Sequence, residues 1–394
     1  MDFLKHRLAE YSALGRYRRL HPVVERLDGR VVLAGSEDRP LLDFSSNDYL
    51  ALSQHPELIK ASRDALERYG VGVGAARLMS GDLGLFHQLE HEVADFKGCA
   101  AALLFGSGYM ANVGMIPALI GRGDVVFTDR LDHASIYDGC RLAGARLLRF
   151  RHNDLEHLEA LLKKERGTGR ALVVVESLYS MDGDIAPLAE LVALKNRHDC
   201  LLMVDEAHAT GLFGDHGGGL IAAAGLADEV EVVMGTFGKA LGSYGAYVAG
   251  SATLRDYLIN RARSFIYSTG LPPAVVGASL AAVKLVRRSP DLRLRLAEKA
   301  AYFKACLQGE GLPGTPGPTH IVPVMIGDGG VALALAEECC RLGLFATAVR
   351  PPTVPEGTAR LRFSVTMHQG KPELAEAARL LMNACRRLGI SASF

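Results

Sequence analysis

Tryptophan is missing from this chain, and its seven cysteines, Cys99, Cys140, Cys200, Cys306, Cys339, Cys340 and Cys385, form no Cys-x-x-Cys pair. No disulfide framework is expected, so a reducing cytoplasm is the simpler setting. Net charge is missing too. The 44 basic and 44 acidic side chains cancel to a formal charge of zero, which leaves no global field to recruit nucleic acid or an anionic membrane. No apolar run is long enough for a membrane helix. The opening Met1-Asp2-Phe3-Leu4-Lys5-His6-Arg7-Leu8 carries charges where a secretory leader has its apolar core.

What is present is length and glycine. The 394 residues, 49% of them hydrophobic, suffice for a large core and more than one domain, and the 43 glycines cluster between apolar runs. Residues 1 to about 30 read as a charged helical arm with Arg16, Arg18 and Arg19. From the segment Leu41 to Leu50 up to about residue 280, short aliphatic runs alternate with amphipathic helical stretches. That alternation predicts an α/β fold with a mostly parallel sheet covered by helices. Strands are expected at Ala102 to Phe105, Val125 to Thr128, Ala171 to Val175, Leu201 to Val204 and Glu231 to Met234. Beyond Ser289, runs at Ile321 to Ile326, Phe345 to Val349 and Arg360 to Val365, with helices from about Val331 and Pro372, indicate a smaller C-terminal α/β domain. The expected division is an arm over 1–50, a large domain over 51–285 and a small domain over 286–394.

The chemistry gathers where strands are expected to end, which in an open parallel sheet is where ligands bind. Met234-Gly235-Thr236-Phe237-Gly238-Lys239 surrounds a lysine with small residues, so its amine can reach a carbonyl and form a Schiff base. On this segment alone, a solvent-facing lysine in a glycine-rich turn fits equally well. Val204-Asp205-Glu206-Ala207-His208 follows another strand. Asp205 there can take a proton from a pyridine nitrogen or cap a helix, and His208 can meet a phenolic oxygen or orient Asp205. Thr128-Asp129-Arg130-Leu131-Asp132-His133 offers an imidazole at a third strand end. Gly106-Ser107-Gly108-Tyr109 combines a turn with a helix start where Ser107 and backbone donors can hold phosphate, with Tyr109 beside a ring. Ser180, after Val175-Glu176-Ser177-Leu178-Tyr179, completes the series.

Several competing motifs fail. Gly70-Val71-Gly72-Val73-Gly74 lacks the final glycine and the preceding strand of a dinucleotide loop, and no Gly-x-x-x-x-Gly-Lys-Ser/Thr sequence is present. His87 and His91 are one helical turn apart, but Gln88 stands where a metallohydrolase needs glutamate, so no metal is expected. A serine hydrolase lacks its Gly-x-Ser-x-Gly context.

Taken together these residues resemble the α-oxoamine synthases, fold-type-I enzymes that use pyridoxal 5'-phosphate, over nearly the whole chain. The resemblance implies a homodimer with active sites at the subunit interface. It makes Lys239 the Schiff-base lysine, Asp205 the pyridine-nitrogen partner and His133 the ring-stacking histidine. His208 and Ser180 match groups around the phenolic oxygen, Thr236 a phosphate contact, and Ser268 and Thr269 a segment presented to the partner's phosphate. Arg362, with Asn47, matches the amino-acid carboxylate clamp, and Thr353 lies in a segment resembling a substrate-covering loop. Arg18, before Leu20-His21-Pro22-Val23, is similar to a basic position in members that join L-alanine to a pimeloyl thioester in biotin biosynthesis. Gly218, where many relatives carry arginine, and Gly270, where a hydroxyl is common, depart from the pattern. The alternatives are a member that joins glycine to an acetyl or succinyl thioester, and a noncatalytic phosphate-binding protein on the same fold.

Overall fold

The computed structural model describes residues 1–35, 39–312 and 317–390. The chain divides into two compact units, one of Met1–Tyr49, Met181–Asp184 and Leu294–Phe394, the other of Leu50–Ser180 and Ile185–Arg293. In the first unit the charged arm is helical only over Asp2–Ala13, and Gly15 follows it at φ 63°. A helical arm to about residue 30 was expected, and this is a correction. Pro22 cannot continue a helix, and the β-branched pair after it opens β1 (Val23–Leu27), which pairs antiparallel with β2 (Arg30–Leu33). β3 (Leu41–Asp43) extends this sheet beside β2.

The second unit is built on a seven-stranded sheet. Its strands are β4 (Ala101–Phe105), β5 (Val125–Asp129), β6 (Arg146–Phe150), β7 (Ala171–Glu176), β8 (Leu201–Asp205), β9 (Val232–Thr236) and β10 (Ala246–Gly250), in the order β4-β10-β9-β8-β7-β5-β6. β10 runs antiparallel to β4 and β9, and the other pairings are parallel, so all strands but β10 point the same way. The five runs expected in this region all form strands, within a residue or two of their anticipated bounds. β7 is buried along all six residues, as a strand covered on both faces must be. Ser107 starts the next helix, Gly108–Leu119, by accepting a hydrogen bond from the Met110 amide at 3.2 Å. That helix buries Ala111, Met115 and Ile116 in the cluster that also holds Leu103, Val126 and Met203. Register sets the polar strand ends level: Glu176 pairs with Asp205, and Asp205 with Met234.

The rest of the first unit carries β11 (Ile321–Gly327), β12 (Leu344–Phe345), β13 (Thr347–Val349) and β14 (Ala359–Ser364). β14 lies antiparallel between β11 and β13, while β12 pairs parallel with β3. The single strand expected over Phe345 to Val349 is thus divided at Ala346 between two sheets, a second correction. This unit also holds most of the helix Pro290–Gly309 and the helices Gly329–Leu342 and Lys371–Arg387, and its core includes the rings of Phe44, Phe303 and Phe363 at centroid separations of 5.1 to 5.6 Å. All seven cysteines are free thiols. Among the described residues, no helix is long and apolar enough to cross a membrane.

Candidate active site

Parallel strands deliver their ends to one edge of the sheet, and the second unit gathers its polar side chains there. Lys239, three residues past β9, is partly buried, and its Nζ lies 2.7 Å from Nε2 of the buried His208. Asp205, the last residue of β8, is 4% exposed, yet among the described residues no cation lies within ion-pair distance of it. Its Oδ1 accepts from the Ala207 amide at 2.9 Å and its Oδ2 from Asn112 Nδ2 at 3.2 Å. A buried carboxylate held only by neutral donors is costly unless a further positive group completes its shell.

His133 caps the helix Ala134–Ala143, accepting from the Ser135 amide at 3.3 Å, while its Nδ1 also lies 2.7 Å from Ser135 Oγ. The residue as a whole is exposed, so a flat ring has a face to lie on. Desolvation of its inner edge nevertheless lowers its pKa, against the pull of Asp205. Ser107 and Gly108 form the helix start described above. Tyr109 is 47% exposed and donates its hydroxyl to Asp138. Thr236 donates to the Gly245 carbonyl at 2.8 Å and accepts from the Gly238 amide at 3.1 Å, so its hydroxyl proton is already committed within the turn. Ser180 is buried four residues beyond β7. Thr269 bridges to Ala76, and both Ser268 and Thr269 line a small cavity with Arg77, Ser264 and Gly270.

In the first unit, Arg362 on β14 is 8% exposed and donates to neutral oxygens: Asn47 Oδ1 at 3.3 Å, Ser364 Oγ at 2.7 Å and Tyr49 OH at 3.1 Å. Arg360, two residues earlier on the same strand, is 2% exposed and is ion-paired with Asp182. Arg360 is thus paired with a carboxylate, while Arg362 on the same strand is oriented by an amide and two hydroxyl oxygens among its partners. Arg18 donates to Thr353 Oγ1 at 3.2 Å, which brings two of the anticipated substrate residues together in this unit.

Sequence reasoning passed over four buried groups. Asn112 reaches Asp205 and Ser135 from the helix Gly108–Leu119, where its amide stands among largely apolar residues, the one trace the sequence gives of it. Ser135 is fully buried between Asn112 and His133. Lys97 forms a fully buried ion pair with Glu206. Glu176 accepts from the His133 backbone amide, and burial followed by the charge of Asp205 pushes its carboxyl up to about 8.

Residues 39–379 match the family model described as aminotransferase class I and II. The chain belongs to this family. It is 48% identical over 386 residues to a chain named 8-amino-7-oxononanoate synthase from Geobacter sulfurreducens, covering 97% of this chain and 98% of that one. The 8-amino-7-oxononanoate synthase of Pelobacter propionicus is 47% identical, with 97% and 98% covered. Among solved structures, the S. paucimobilis serine palmitoyltransferase with a bound PLP–myriocin aldimine superposes with a TM-score of 0.92, at 31% identity and 98% coverage of both chains.

Proposed function

We propose that this protein is a pyridoxal-phosphate-dependent acyltransferase that condenses L-alanine with a pimeloyl thioester, releasing the thiol and carbon dioxide and forming 8-amino-7-oxononanoate for biotin synthesis. The observation that carries the reading is the placement of Lys239 against His208 at the edge where the buried Asp205 has no cationic partner among the described residues, in a chain similar throughout to synthases of that name. The donor set fits the cofactor. A protonated ring nitrogen is the positive group that completes Asp205, the exposed His133 offers a stacking face, and the helix start at Ser107 and Gly108 is suited to a phosphate.

When bound, the cofactor supplies an aldehyde that captures amines and a cationic ring that accepts electrons from bonds breaking at the amino-acid Cα. Lys239 would hold it covalently, and its amine, when free, would take the Cα proton of L-alanine and later return one. His208, 2.7 Å away, accepts a hydrogen bond from the protonated amine. Asp205 would keep the ring nitrogen protonated. Arg362 receives the amino-acid carboxylate through a guanidinium already oriented by Asn47, Tyr49 and Ser364. Arg18 and Thr353 meet the far end of the acyl chain. Ser180 would meet the phenolic oxygen, and Tyr109 would flank the ring. Thr236 would reach the phosphate by turning its hydroxyl proton away from the Gly245 carbonyl, and Ser268 and Thr269 would present their hydroxyls to the phosphate held by the partner subunit of a homodimer.

The test compares products by mass spectrometry. L-alanine with pimeloyl-CoA is expected to give 8-amino-7-oxononanoate, with little product from glycine and acetyl- or succinyl-CoA. Preference for glycine would reassign the substrates, and absence of a cofactor–lysine bond would remove the enzyme reading.

A further inference from the structure

The chain of hydrogen bonds behind His133 has a direction that donor and acceptor chemistry fixes. Asn112 Nδ2 can only donate, and it reaches two oxygens, Asp205 Oδ2 at 3.2 Å and Ser135 Oγ at 2.9 Å. Turning the amide over would set its oxygen against the Asp205 carboxylate, so this orientation is the one electrostatics allows. Ser135 Oγ, having accepted from Asn112, has its own proton left for His133 Nδ1 at 2.7 Å. The Ser135 backbone amide, which can only donate, faces the same Nδ1 at 3.3 Å. Nδ1 therefore offers a lone pair, and the neutral ring carries its proton on Nε2. Among the described residues, Nε2 has no hydrogen-bond partner.

We propose that Asn112 and Ser135 are positioning residues that lock His133 as the neutral Nε2–H tautomer, making it a hydrogen-bond donor to the acyl carbonyl oxygen and not a base. The donor role rests on the synthase reading above; the tautomer does not. A fixed N–H aimed at an oxygen that gains negative charge as the thioester is attacked stabilises that charge without reorganising. The groups bearing on the ring agree with a neutral imidazole. Asp205 of β8 favours its protonation, but its charge is engaged by Asn112, and Asp138 of the same helix is engaged by Tyr109 and Arg141. Lys239 opposes protonation, as does desolvation, while Glu176 of β7 meets the backbone amide of His133 and not the ring. Two donors converging on Nδ1 leave no place for a second ring proton.

The experiment is long-range proton–nitrogen spectroscopy of the holoenzyme labelled with nitrogen-15 histidine, the His133 signals being identified by their loss in His133→Gln. Near pH 7.5 the wild-type ring should show an unprotonated Nδ1 and a protonated Nε2. Ser135→Ala should move its titration midpoint upward and lower kcat about tenfold, as loss of a group orienting a functional histidine does. Cofactor absorbance and L-alanine affinity should stay unchanged, and Ser135→Thr should recover both values. A proton on Nδ1 in the wild type, or an unmoved midpoint in Ser135→Ala, overturns the lock. A moved midpoint with unchanged kcat overturns the donor role. The expected spectrum in a protein that makes no product from L-alanine and pimeloyl-CoA would instead remove the synthase reading and leave the tautomer standing.

Discussion

Asp205 and Glu206 are consecutive residues, yet each belongs to a different lysine's surroundings. Glu206 is fully buried with Lys97, whose ammonium also donates to Thr210 at 3.4 Å and to the Gly218 carbonyl. Burial works to lower the Lys97 pKa, but the charge of Glu206, helped by Tyr247, outweighs it and holds the amine above the usual lysine range. Such a lysine has no lone pair to offer. Lys239 is partly exposed and faces the His208 imidazole at hydrogen-bond distance. A lysine satisfied in the dark joins elements together, and one left accessible beside a titratable partner is equipped for chemistry.

The largest expected difference between the two lies in turnover. Lys239→Ala should lower kcat by about a thousandfold or more, with noncovalent cofactor binding retained and folding stability changed by less than about 1 kcal/mol. Stopped-flow product assays and equilibrium unfolding would check the two halves, and a variant that kept substantial turnover would move the chemistry elsewhere. Lys97→Met should do the reverse. It leaves Glu206 buried and uncompensated, at a cost of about 3–5 kcal/mol in a urea titration. Because the Lys97 pKa is raised by folding, that contribution is present throughout the neutral range and fades only above the ordinary lysine pKa. A Lys97→Met protein of normal stability would show that the pair is not the joint described.

Asp205→Asn should keep the local shape while weakening protonation of the ring nitrogen. Solvent-deuterium exchange at the L-alanine Cα should slow by about a hundredfold with the cofactor still bound, and unchanged exchange would remove Asp205 from its role. Glu176→Gln probes the same strand-end cluster through pH. The folded Glu176 pKa, about 8, lies above its unfolded value, so wild-type stability should fall as pH rises from the ordinary glutamate range toward 8. In Glu176→Gln that fall should be smaller by roughly 2–4 kcal/mol, read by urea unfolding at pH 5 and pH 8.5. The smallest effect is expected from Arg18→Ala, which should raise the KM for pimeloyl-CoA about tenfold without altering L-alanine affinity, by steady-state kinetics and a spectroscopic titration.

Much of this was legible in the chain because local pattern encodes it. Buried runs such as Ala171–Glu176 carry their β-branched residues openly, and the polar residues that follow β5, β8 and β9 mark strand ends of a parallel sheet. Lys239 and Asp205 are site candidates on that pattern. The arm was misread because charge at the chain start looked helical, whereas Gly15 and Pro22 set the break and Val23 pairs with Leu33. Asn112 and Lys97 were missed for a different reason. Their partners lie 93 and 109 residues away, so only the fold brings Asn112 to Asp205 and Lys97 to Glu206. Gly218 shows the same limit. A Cβ there would meet the Phe96 carbonyl at 2.6 Å, and its own carbonyl accepts from Lys97, a role that composition does not reveal.

Borohydride reduction of the wild-type holoenzyme, followed by peptide mapping, sets the two lysines against each other in one sample. The reduced cofactor should be found on the peptide containing Lys239, with Lys97 unmodified. Cofactor attached to Lys97, or a holoenzyme in which neither lysine is reducibly bound, would contradict the assignment of chemistry to the partly exposed lysine and joinery to the buried one.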